Sequence, residues 1–198
     1  MSRISAPAAP AAPAAPAAPA APAAIDAAAA AAQPLLHAVK RETGAIPNMF
    51  LMLANSPAAL QGYLGLDAAL AQGSISPETR ARIALAVAEI NGCDYCLSAR
   101  TYLARTRAKL DNAEITANRS GASNDLHADA AVRFAAKIVR RRGQVSAEDV
   151  SAFRAAGYSD AAVVEVIALT ALSSFANYLN QVTRTEIDFP RITARRAA

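Results

Sequence analysis

The sequence has no tryptophan, only two histidines and two cysteines, and few aromatic residues. It also has no uninterrupted apolar run approaching the roughly 18 residues of a membrane span, so no membrane partner is expected. Charge is sparse as well. The net charge is +4 with 18 % charged residues, Lys and Arg are scattered, and aromatics are too few to interleave with them, which argues against a nucleic-acid surface. The one dense basic run, Arg140-Arg141-Arg142, falls where a helix should end and reads as a solvated, dipole-favoured terminus. A zinc site built on the two cysteines would need two further ligands, and His37 and His127 are isolated single histidines, so neither metal nor cofactor is expected. Strand-like alternation bounded by turns is missing throughout, and the fold class that remains is all-α.

Residues 1–33 are mostly alanine and proline, with prolines at 7, 10, 13, 16, 19 and 22. Each proline fixes φ and removes a donor, so this stretch reads as a disordered or polyproline-like tail rather than a signal peptide. Residues 34–198 then have the length of one ordinary domain, and the cytoplasm is the expected location.

From Pro34 onward, caps and stops mark the helices. Ser56-Pro57 and Ser76-Pro77 each place an N-cap serine before an N1 proline, while Gly44, Gly73, Gly143 and Gly157 close segments. Ser146 and Asp149 have capping-box spacing. A helix opens at Asp94 and is expected to run to about Lys109. The longest segment, Ala161 to about Arg184, carries Val164, Ile167, Ala168, Ala171, Leu172, Phe175 and Leu179; so wide an apolar face predicts the central buried helix.

Both cysteines lie in Asn91-Gly92-Cys93-Asp94-Tyr95-Cys96, between the helix that carries Ile83, Val87 and Ile90 and the one that opens at Asp94. Two thiols at this spacing can close a disulfide, share a metal or sit as small buried residues. Two cysteines in a reducing compartment favour catalytic or redox-sensing use. The start of a helix lowers the pKa of a nearby thiol, and Arg100, four residues after Cys96, can reach the same sulfur. A thiolate that attacks a peroxide becomes a sulfenic acid, which a second thiol one turn away converts to a disulfide. Spacing alone leaves open which cysteine attacks.

At these residues the chain resembles the alkylhydroperoxidase D and carboxymuconolactone decarboxylase-like family. The resemblance runs over most of Ile46 to Pro190, through Ile46-Pro47-Asn48, Ser76-Pro77, Ile83 to Glu89, Asn91 to Ala99, Asn177-Tyr178-Leu179-Asn180 and Thr185 to Pro190. It implies a compact helical domain with the CxxC at a helix N-terminus, usually built into an oligomer. It also implies a thiol-dependent peroxidase or disulfide reductase with Cys96 peroxidatic and Cys93 resolving, taking a hydroperoxide as substrate and an external dithiol or lipoylated protein as reductant. The redox members carry a glutamate twelve positions before the first cysteine and a histidine four after the second, as a proton relay. Here Ala81 and Arg100 stand in those places, and Gln181 follows the C-terminal asparagine where a histidine is often found. Alanine has no ionisable group and arginine keeps its proton. Glu78, one turn before Ala81, and Glu89, four residues before Cys93, are the candidate stand-ins for the relay carboxylate, with Glu89 the candidate base. Two other readings follow from the same resemblance: a degenerate, non-catalytic redox-responsive or binding protein, and a decarboxylase or lactone-processing enzyme, which would not depend on a cysteine pair.

Overall fold

A computed structural model describes residues 30–195, which form nine helices and no strand. In chain order these are α1 (Gln33–Thr43), α2 (Asn48–Leu53), α3 (Pro57–Ala71), α4 (Pro77–Ile90), α5 (Asp94–Thr106), α6 (Asn112–Arg119), α7 (Leu126–Arg140), α8 (Ala147–Ala155) and α9 (Asp160–Thr183). The expected tail lies outside the described residues up to position 29. Of the rest of it, Ala32 is buried in the core and Gln33 already begins α1.

The caps work as read. Ser56 and Ser76 accept from Ala59 N–H and Thr79 N–H, and Ser146 with Asp149 forms a reciprocal capping box. Helix α5 is shorter than expected and ends at Thr106, because Lys109 adopts a left-handed φ of 55° in the turn that follows. The basic run closes α7, with Arg141 at its C-cap.

The centre of the molecule is α4, where the sequence pointed to α9. Every residue of α4 from Ile83 to Glu89 is buried, and α5, α6, α7 and α9 all pack against it. Its alanines explain this, since a helix with small side chains on several faces can be approached from several sides. Helix α9 puts Val166, Leu169, Leu172 and Ala176 into the core but leaves Val164 (65 % exposed), Ile167 (47 %), Phe175, Tyr178 and Val182 on the surface. Its length and mean hydropathy of 1.5 are those of a membrane span by composition, although its inner face is built into this core.

Three residues, Asn91, Gly92 and Cys93, join α4 to α5. Gly92 adopts φ +67°, its N–H donates to Glu89 O and the Cys93 N–H donates back to Ala88 O. These are the two bonds of a Schellman ending, which needs a left-handed residue at the glycine position. The next residue is already the N-cap of α5, so the chain reverses with no slack and fixes where the first sulfur lies.

Candidate active site

Cys93 caps α5 with its own side chain: the Cys96 N–H donates to Cys93 Sγ at 3.2 Å. Cys96 lies one turn further on, and both cysteines are free and buried. Cys96 lines a cavity of about 590 Å³ together with Arg100, Tyr63, Phe50, Tyr102 and Asn177. The cavity holds both a sulfur and a cation within walls that include the rings of Phe50, Tyr63, Tyr95, Tyr102 and Phe189.

The sulfur of Cys96 is surrounded by donors. The Cys93 thiol hydrogen-bonds to it, Asn180 Nδ2 reaches it at 3.4 Å, and Asn177 and the Arg100 guanidinium add to these. Led by the Cys93 hydrogen bond and opposed by burial, these groups bring the Cys96 thiol down to about 7. The same hydrogen bond works in reverse on Cys93: giving its proton to Cys96, and being buried, it is held well above the ordinary thiol range. The pair is thus polarised, with the negative charge on Cys96 and the proton on Cys93.

The amides are themselves positioned. Asn91, at the end of α4, donates to Asn177 Oδ1 at 2.8 Å, while Gln181 Nε2 donates to Asn91 O at 2.7 Å. Gln181, standing where a histidine is often found, therefore supports the turn that carries the cysteines. Tyr95 anchors the other side: its hydroxyl accepts from Met49 N–H at 3.1 Å, and its ring meets Phe189 edge-on.

Arg100 and Cys96 come together as their spacing predicts, and the guanidinium also donates to Tyr63 Oη at 3.4 Å. Glu89 does not join them. One of its oxygens accepts from Arg119 Nε at 2.6 Å and the other from Arg195 N–H at 2.7 Å, and it lines a second cleft with Arg119 and Arg195. The reason is the Gly92 turn, which sends the chain onward into α5 while the buried end of α4 faces α6 and the C-terminal segment. Glu78 lies exposed in the first turn of α4. The lone histidines are placed elsewhere: His127 stacks on Tyr158 at 4.2 Å, and His37 is exposed.

Tyr63, Asn91, Asn177 and Asn180 had no role assigned from sequence. Asn177 and Asn180 did leave a signal, as two amides three residues apart in a largely apolar helix. Tyr63 left none, because only the packing of α3 brings it to the cavity.

The sequence profile of the Carboxymuconolactone decarboxylase family matches residues 57–141. Among curated proteins none matches the chain. The fold is shared with an uncharacterized peroxidase-related protein from Ralstonia eutropha JMP134, described as an alkylhydroperoxidase AhpD core. That pair has a TM-score of 0.74 and 22 % identity over 82 % of this chain and 88 % of that one. A peroxidase-related protein from Silicibacter sp. TM1040 gives a TM-score of 0.70 at 22 % identity, over 78 % of this chain and 83 % of that one. The debrominase Bmp8, solved as a cysteine variant with 2,3,4-tribromopyrrole, gives 0.65 at 22 % identity over 78 % and 84 %. The profile match runs from α3 to the end of α7, and the helical architecture around it is the fold shared with these structures.

Proposed function

We propose that the protein is a thiol-dependent peroxidase or disulfide reductase in which Cys96 attacks and Cys93 resolves. The observation that carries this reading is the polarised pair: Cys96 held near pH 7 by its donors, Cys93 holding the proton one turn away, and a cavity that reaches only the former. The Cys96 thiolate attacks the outer oxygen of a hydroperoxide and becomes a sulfenic acid, releasing an alcohol once a proton is supplied. The Cys93 sulfur then attacks that sulfenic acid, forming the disulfide and expelling water. An external dithiol, free or carried on a lipoylated protein, reopens the bridge by exchange and leaves as its own disulfide. A dithiol pool of that kind suits the cytoplasm. Arg100 favours the thiolate by its charge.

The test is reduction of an organic hydroperoxide by the purified protein with dihydrolipoamide, together with mass spectrometry of the oxidised chain. Turnover that Cys96→Ser abolishes, and a loss of two protons shared by Cys93 and Cys96, is the expected result. Consumption no faster than a thiol-only blank would reject the reading.

A second reading, a non-catalytic redox-responsive relative, draws on Ala81 and Arg100 at the relay positions. It predicts a Cys96 that alkylates only with the pH dependence of an ordinary thiol and forms no disulfide under mild peroxide.

A further inference from the structure

Attack of the Cys96 sulfur on a hydroperoxide forms an S–O bond, breaks the O–O bond and expels the inner oxygen as an alkoxide. An alkoxide is a strong base, and expelling it unprotonated makes the step slow. Ala81 has no proton to give, Arg100 keeps its own, and both oxygens of Glu89 are occupied in another cleft. A different group has to serve.

Tyr63 carries a hydroxyl and shares the cavity with Cys96. It is buried on α3. Its ring is clamped between Phe50 at 6.0 Å and Phe175 at 6.1 Å, so the hydroxyl has a fixed position. Arg100 Nη2 donates to the Tyr63 oxygen, which uses that oxygen as an acceptor. Among the described residues no acceptor takes the Tyr63 proton. The other buried tyrosine near the cysteines is committed differently, since Tyr95 accepts from Met49 N–H and interacts with the Asp188 carboxylate, a standing acceptor. The charged groups that act on Tyr63 are Arg100, Asp67 one turn along α3, and Cys96 itself. Burial raises the phenol above its ordinary value against the pull of Arg100, so it carries its proton at neutral pH.

We propose that Tyr63 is the proton donor to the departing oxygen, with the Arg100 guanidinium holding the phenol and stabilising the phenolate that it becomes. The proposal rests on the hydroperoxide reading above. The step balances: Cys96 thiolate, hydroperoxide and Tyr63 phenol give Cys96 sulfenic acid, alcohol and Tyr63 phenolate. The phenolate regains its proton from water entering the cavity. Arg100, at the position where relatives carry a histidine, then acts through its neighbour instead of exchanging a proton itself.

The test is single-turnover oxidation of Cys96 in the reduced full chain, followed by stopped flow. The oxidants are an alkyl hydroperoxide, whose leaving oxygen needs a proton, and a peroxy acid, whose carboxylate leaving group does not. Tyr63→Phe keeps the ring contacts and is expected to slow the alkyl hydroperoxide by about 100-fold, the scale of one general acid, and the peroxy acid by less than about threefold. Equal slowing of both, or of neither, would overturn the proposal. A second variant with 3,5-difluorotyrosine at position 63 preserves the shape and acidifies the phenol. The alkaline fall in rate should move to lower pH, and an unmoved profile would also overturn the assignment. If wild-type Cys96 reacts with both oxidants and Tyr63→Phe keeps the same preference between them, only the role of Tyr63 fails. If wild-type Cys96 reacts with neither, the hydroperoxide reading fails and this role fails with it.

Discussion

Asn180 Nδ2 stands 3.4 Å from Cys96 Sγ, joining the last helix to the first turn of α5 through an amide aimed at a sulfur. An N–H pointed at a thiolate favours the charged form, and a hydrogen bond to a charged group is worth about 1.5–3 kcal/mol. In the wild type, Cys96 alkylation by iodoacetamide should therefore be half-maximal near pH 7, falling about tenfold for each unit below it. Asn180→Ala should move that midpoint upward by about one pH unit, toward the ordinary thiol value. A midpoint unchanged from wild type would show that the amide does not act on the sulfur.

Cys93→Ala should act before any disulfide can form. The Cys93 hydrogen bond is the largest influence lowering Cys96, so its loss should raise the alkylation midpoint as well as stop ring closure. Dimedone labelling after one equivalent of hydroperoxide should then trap Cys96 as a lasting sulfenic acid in this variant and not in the wild type. Equal labelling of both proteins would contradict the resolving role.

Gly92→Ala tests the turn alone. A Cβ at Gly92 meets no atom within 4 Å, so the only cost is the left-handed backbone at φ +67°, about 1–2 kcal/mol. Urea denaturation should show that loss, with Cys96 alkylation slowed because the Cys93 cap depends on the same turn. Stability equal to wild type would mean that the turn relaxes freely.

Glu114 is the polar hinge between α4 and α6. Burial works against its charge, but Ser123, Asn118, the Asn124 N–H and Arg82 together hold it down to about 2. Its folded value lies below its unfolded value, so the stability it contributes is present above about pH 4.5 and is lost as the pH falls through about 2. Glu114→Gln should cost roughly 2 kcal/mol at pH 7 after allowance for solvent screening, and the gap from wild type should close on acidification. A gap constant from pH 7 to pH 2 would rule out this origin.

Much of this architecture is legible in the sequence because the helix ends are written locally. Ser56, Ser76 and Ser146 cap where their spacing indicates, and Gly92 ends α4 as a glycine after a periodic segment should. The cysteine turn and the Cys96–Arg100 proximity follow from one-turn spacing. Which helix lies at the centre is different, since the apolar width of α9 says how much surface is sticky and not what covers it. In this chain the alanines of α4 take the middle, and Val164, Ile167, Tyr178 and Val182 stay outside. The partners that draw Glu89 away from the cysteines were not legible, because Arg119 and the Arg195 N–H are 30 and 106 residues away. Tyr63 was hidden for the same reason.

The segment after α9 runs back along α5. Ile192 N–H donates to Ser98 Oγ at 2.9 Å, Ala194 N–H to Asp94 Oδ1 at 2.8 Å, and Arg195 N–H to Glu89. The turn that carries the cysteines is therefore tied down by residues about a hundred positions further along the chain, and its surroundings are complete only when that last stretch has docked.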